Sequence, residues 1–154
     1  MATSLRPATL RAERGDSLVE FALVLPLLVL VFAGIVDFGF LFQRYEVVTN
    51  AAREGARLAV LPGYDGPAVE ARVKDYIREG LGDAAAAAGA VTVVVDSVPV
   101  TPPTGAAFIG ARVTVTYTYD YLLLGFIVNL ATGRDFGPDV TLRAVSTMRP
   151  EVSS

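Results

Sequence analysis

The stretch RGDSLVEFALVLPLLVLVFAGIVDFG, Arg14 to Gly39, decides how the rest of the chain is read. Phe21 to Val36 is sixteen residues without a charge. That is about 24 Å of helix, and carrying on through Asp37 to Phe42 makes about 33 Å, enough to cross one hydrocarbon core once. A cleaved secretory signal would have a shorter apolar region ending in small residues suited to a signal peptidase. Here the run continues through Ile35, Phe38, Phe40, Leu41 and Phe42, which favours a retained membrane helix. At its mouth stands a lone carboxylate, Glu20. A charge at the edge of hydrocarbon costs roughly a few kcal/mol unless it is paired, so such residues tend to mark function. Alternatively, Glu20 lies at the headgroup boundary, reaching into water as an acid favoured by a helix N-terminus.

Working outward toward the N-terminus, Arg6, Arg11 and Arg14 against Glu13 give residues 1–15 a charge of +2. The remainder, with ten basic and fifteen acidic residues, stands at −5. A basic leader points to a cytoplasmic N-terminus, an inference tempered by Arg44, Arg53 and Arg57 beyond the span, which equal the leader's arginines in number. The chain has 154 residues, 53% hydrophobic and 19% charged, with a mean hydropathy of +0.49, which fits one small domain plus an apolar appendage. It contains no Cys and no His. Thiol chemistry, disulfides, Cys/His zinc sites and a histidine base are excluded by inventory, and no cofactor is expected. The absence of Lys/Arg clusters with interleaved aromatics argues against a nucleic-acid partner.

Beyond the span, Leu41, Tyr45, Val48, Ala52, Gly55, Ala56 and Ala59 keep helical spacing while Arg44, Glu46, Asn50, Arg53, Glu54 and Arg57 fill the other side. One long helix over Leu18–Val60 is predicted, ended by Leu61, Pro62 and Gly63. Within it, Pro26 either kinks or locally melts the rod to suit packing, or is simply tolerated as prolines are in membrane helices. Asp37 is expected at the outer interface, with a neighbour or Arg44, seven residues on, as alternative partners. The small residues Ala51, Gly55 and Ala59 let another backbone approach closely, and docking of the domain's own sheet is the expected use. Glu54 and Arg57 suit an i,i+3 surface pair worth roughly a few tenths of a kcal/mol.

YDGPAVEARVKDYIREGLGD reads as a second helix, with Asp65 or Gly66 as cap, Pro67 in the first turn, Val69, Val73, Tyr76, Ile77 and Leu81 on the apolar face and Gly82 as stop. The run Ala84 to Ala88 is either its frayed tail or a linker. From Val91 the period changes to two. VTVVVDSV is a strand, PVTPPTG a Pro-rich loop, and ARVTVTYTYDY alternates Val113, Val115, Tyr117 and Tyr119 against Arg112, Thr114, Thr116 and Thr118. LLLGFIVNLATGRDFG is an apolar insertion, a short helix or a packed loop, before a last strand, DVTLRAVSTMR. The order is α+β: a long N-terminal helix, a short helix and a small antiparallel sheet. The expected division is a leader over 1–15, a long helix over 16–60 with its transmembrane part at about 21–42, and an extracytoplasmic head over 61–154.

Catalysis finds little support. Asp65, Asp83, Asp96, Asp120, Asp135 and Asp139 are scattered without paired-carboxylate spacing, and no Gly-rich phosphate loop is present. Lys74, the single lysine, falls on the exposed side of the second helix, and RDFGPD at Arg134–Asp139 reads as a turn.

Four stretches together resemble the TadE-like family, minor pilins or pseudopilins of tight-adherence, Flp-type pilus systems: RGDSLVEFALVLPLLVLVFAGIVDFG, NAAREGARLAV at Asn50–Val60, VTVTYTY, and AVSTMRPE at Ala144–Glu151. Pro150 departs from the pattern expected before Glu151. The resemblance implies a structural, non-enzymatic precursor in a bacterial inner membrane. A membrane prepilin peptidase cuts such proteins after a glycine on the cytoplasmic side, leaving a glutamate five residues into the mature chain. Gly15 and Glu20 stand in that relation, which makes Asp16 the mature first residue. The new amine of an adjacent subunit is then a mate for Glu20. The implied partners are the peptidase, other pilins or pseudopilins, the assembly platform and the membrane, with no small-molecule substrate. The rival readings are an unprocessed single-span anchor whose outer domain binds a partner or cell-wall material, and a binding domain released by ordinary signal cleavage.

Overall fold

The computed structural model describes residues 10–82, 91–134, 137 and 139–150, with side chains from Gly15 onward. The expected leader residues 1–9, the alanine run 84–88, Asp83, Asp135 and Glu151 lie outside the described residues. In chain order the elements are α1 (Leu10–Ala59), α2 (Gly66–Leu81), β1 (Val91–Val100), β2 (Phe108–Tyr119), α3 (Leu123–Thr132) and β3 (Val140–Met148). This is an α+β arrangement with one three-stranded antiparallel sheet in the order β1-β2-β3. Two compact units divide the chain. One joins α1 up to Asp37 with the segment from Leu122 that carries α3; the other joins α1 from Phe38 onward with α2 and the sheet.

In the second unit the sheet turns one face inward through rows set by register. Val93, Val115 and Ala144 form one row, and Val91, Tyr117 and Leu142 the next. Val93, Val113, Val115, Tyr117, Tyr119 and Ala144 are buried there with Val48, Ala51, Ala52, Ala56 and Leu58 of α1 and Val69, Val73 and Ile77 of α2. The α2 residues recur at i, i+4 and i+8, so its inner stripe is continuous. Its start is fixed by the Asp65 carboxylate, which accepts from Ala68 N at 2.9 Å. Gly82, at φ 84°, ends it by donating its amide to the Arg78 carbonyl at 2.9 Å.

Boundaries differ from the sequence reading in α1 and β1, and one open alternative is resolved. α1 begins at Leu10, earlier than Leu18, and continues unbroken through Pro26, although proline cannot donate to the carbonyl of Ala22. β1 runs two residues into the expected Pro-rich loop, with Pro99 opposite Ile109 and Val100 opposite Phe108. As a sheet-edge strand it tolerates the missing donor. The apolar insertion resolves into helix α3, closed by Gly133 in the left-handed conformation at φ 67°.

Candidate functional site

The exposed apolar half of α1 is the first feature with functional content. Its described part holds an apolar window of mean hydropathy 2.7, of which 6% is buried within the protein, so it is long and apolar enough to cross a membrane. Leu23, Leu27, Phe32 and Ile35 show that side chains around the helix face outward. Gly15, Asp16 and Glu20 are exposed at the N-terminal margin of this surface. Among the described residues Glu20 has no ion pair or hydrogen bond. A Cβ at Gly15 would meet nothing within 4 Å. Glycine inside a helix costs roughly 1 kcal/mol relative to alanine, and no contact among the described residues accounts for it.

Asp37 closes this surface in a way its sequence position did not suggest. Its carboxylate is completely buried. Oδ1 accepts from the amides of Leu122 and Leu123, both at 3.1 Å, and Oδ2 from those of Leu123 at 3.1 Å and Leu124 at 2.7 Å. An acceptor-only group thus meets the unpaired N–H groups that begin α3, where the helix dipole is positive. Leu122, the residue that would ordinarily supply a capping side chain, has none to offer. The partner of Asp37 is therefore a helix N-terminus rather than Arg44. Arg44 instead donates from Nε to the Tyr117 hydroxyl at 3.2 Å, with its guanidinium carbon 4.7 Å from the Tyr119 ring centre and 5.8 Å from that of Phe40. Tyr121 meets Tyr119 edge to face at 5.7 Å.

The small residues of α1 face their own unit. A Cβ on Gly55 would fall 2.5 Å from Val73 Cγ2 and 3.1 Å from Val113 Cγ1, so α2 and β2 both press on the bare backbone. Ala51 is fully buried beside it and Ala59 half-buried at the helix end. On the outer side Arg57 grips Glu54 with two hydrogen bonds, at 3.0 and 2.8 Å. That grip holds the Glu54 carboxyl below its ordinary range, against a smaller opposing effect of burial.

One pair escaped the sequence reading. Asp120 follows β2 and Asp139 precedes β3, and the pairing of Tyr119 with Val140 brings them together. A side-chain hydrogen bond with Asp139, then a small loss of hydration, raises the carboxyl of the exposed Asp120 above its ordinary range. Only the strand register could have revealed a pair nineteen residues apart. Among the described residues no group of three or more acidic, His or Cys side chains could hold a metal.

A model of the TadE-like protein family matches residues 15–57, the family that the chain's motifs resemble. The match covers the portion of α1 that contains Gly15, Glu20, Asp37 and Gly55, and leaves α2, α3 and the sheet outside it. The likeness to that family therefore rests on α1. No curated protein and no solved structure matches the chain.

Proposed function

We propose that the chain is the precursor of a minor pilin or pseudopilin, a structural subunit for assembly of a tight-adherence pilus used in surface attachment. In this reading it crosses the bacterial inner membrane once with its N-terminus cytoplasmic. A prepilin peptidase cleaves between Gly15 and Asp16 and removes the basic leader. The observation that carries the reading is Glu20, an exposed carboxylate at the mouth of an exposed apolar helix, with no partner among the described residues and five residues into the chain that begins at Asp16. Its charge is matched in an assembly by the new ammonium group of a neighbouring subunit, which fixes the axial stagger of adjoining helices. Gly15 supports the same scheme, because its missing side chain makes room for no contact among the described residues. The TadE-like match across this stretch agrees with it.

Intact-mass measurement of the protein recovered from membranes that contain a prepilin peptidase tests the proposal. Loss of residues 1–15 is expected. Gly15→Leu is expected to leave a full-length membrane protein. Glu20→Ala is expected to be cleaved normally but to enter filaments poorly. A leader retained in the presence of active peptidase would instead leave a single-span anchor with an outer binding domain.

A further inference from the structure

We propose that α3 is a membrane-surface helix, whose outward face of Leu122, Phe126 and Leu130 seats in the lipid boundary on the side where α1 leaves the hydrocarbon. The proposal rests on α1 crossing a bilayer and is independent of processing at Gly15.

Three observations converge on it. First, the segment between Asp120 and Arg134 contains no charged residue. Leu122, Phe126 and Leu130 lie at i, i+4 and i+8 and are 62, 67 and 76% exposed, a single uncovered apolar ridge, while Leu124 turns inward. Second, the polar backbone groups that begin α3 are occupied. Asp37 takes the amides of Leu122, Leu123 and Leu124. At the other end Gly133 N donates to Asn129 O at 2.7 Å and the Thr132 hydroxyl to Val128 O at 2.7 Å. Lipid supplies no substitute hydrogen bonds, so a helix that starts at the edge of hydrocarbon must have those first amides satisfied from within. Third, the acceptor that holds α3 belongs to the apolar run itself. Asp37 lies five residues before Phe42, so α3 starts about 7.5 Å inside the end of that run. Interfacial helices bury their apolar faces about 5–10 Å into the boundary between headgroups and acyl chains, so the lengths agree. The apolar surface of α1 up to Asp37 and the ridge of α3 thus belong to the same unit.

The absence of cysteine allows a direct test in the full-length chain. Single variants Leu25→Cys, Glu79→Cys, Phe126→Cys and Leu130→Cys carry a polarity-sensitive fluorophore. Each is reconstituted at high lipid-to-protein ratio into phosphatidylcholine/phosphatidylglycerol vesicles containing acyl-chain spin-labelled phospholipid. Expected are a blue-shifted emission and quenching by the labelled lipid at 25, 126 and 130, and neither at 79. Quenching at 25 with solvent-like emission at 126 and 130 would overturn the proposal while leaving the membrane span of α1 intact. Solvent-like emission at 25 as well would overturn both. Protection at 126 and 130 that the labelled lipid fails to quench, and that disappears on dilution in lipid, would assign the ridge to a second copy of the chain and also overturn the proposal. Leu130 is three-quarters exposed, so its substitution leaves the packed residues untouched if Phe126→Cys disturbs the fold.

Discussion

Asp37 shows what a single residue does when its partner is distant in the chain. Four hydrogen bonds converge on its two oxygens. Asp37→Ala would leave three helix-starting amides without their acceptor, at a cost of about 1–2 kcal/mol. Amide hydrogen exchange at Leu122–Leu124 is expected to accelerate roughly tenfold or more, with Asp37→Asn intermediate because one acceptor oxygen remains. At Gly55 the added methyl of Gly55→Ala gains helix propensity worth up to about 1 kcal/mol but drives into a stiff valine, and overpacking of this kind typically costs about 1–3 kcal/mol. A net fall in thermal stability is expected, and Gly55→Ala combined with Val73→Ala should recover part of it. Asp120 and Glu54 respond to pH in opposite senses. The raised carboxyl of Asp120 holds its proton more firmly folded than unfolded, so its contribution is present in acid and lost as pH rises through its folded pKa. Glu54, held low by Arg57, contributes above its unfolded pKa and loses that contribution as pH falls. Asp120→Asn should therefore flatten the decline in melting temperature from the ordinary aspartate range toward neutrality, read by thermal denaturation across pH in detergent. The i+4 and i+3 spacing of the small residues was legible in the sequence. The partners of Asp37 and Asp120 were not, because hydrogen bonds across eighty-five residues or one strand register leave no local pattern.

At the scale of elements, periodicity carried most of the architecture. The stripe Val69, Val73, Ile77 and the signals Asp65, Pro67 and Gly82 place α2 within a residue of its observed bounds. Asp65→Ala should cost about 1 kcal/mol, seen as a lower melting temperature and loss of helical ellipticity. Alternation locates β2 and β3, whereas β1 reads as ending before Pro99, since proline reads as a strand breaker unless the strand is known to lie at an edge. The sequence of α3 reads equally as helix or loop for a physical reason. It has no capping side chain of its own, and the group that starts it comes from α1. A helix whose N-terminal signal sits in another element cannot be recognised from its own ten residues.

Across the whole molecule, the chain leaves the second unit after β2, builds α3 in the first, and returns to complete the sheet with β3. The β2–β3 pairing therefore closes over an excursion whose length adds little entropic cost, since loop closure grows only slowly with length. Replacing Leu123–Thr132 with an equally long Gly/Ser segment should leave the β2–β3 cross-strand contacts in place by NMR while abolishing the slow exchange expected around Asp37. The four carboxylate bonds also bear on any event that draws the rod outward. Because Asp37 grips the α3 backbone rather than a flexible side chain, α3 cannot be left behind while those bonds persist. Departure from lipid then becomes a paired detachment, in which the work of dewetting Leu122, Phe126 and Leu130 is added to that of the anchor, and a machine that pulls on one must overcome both.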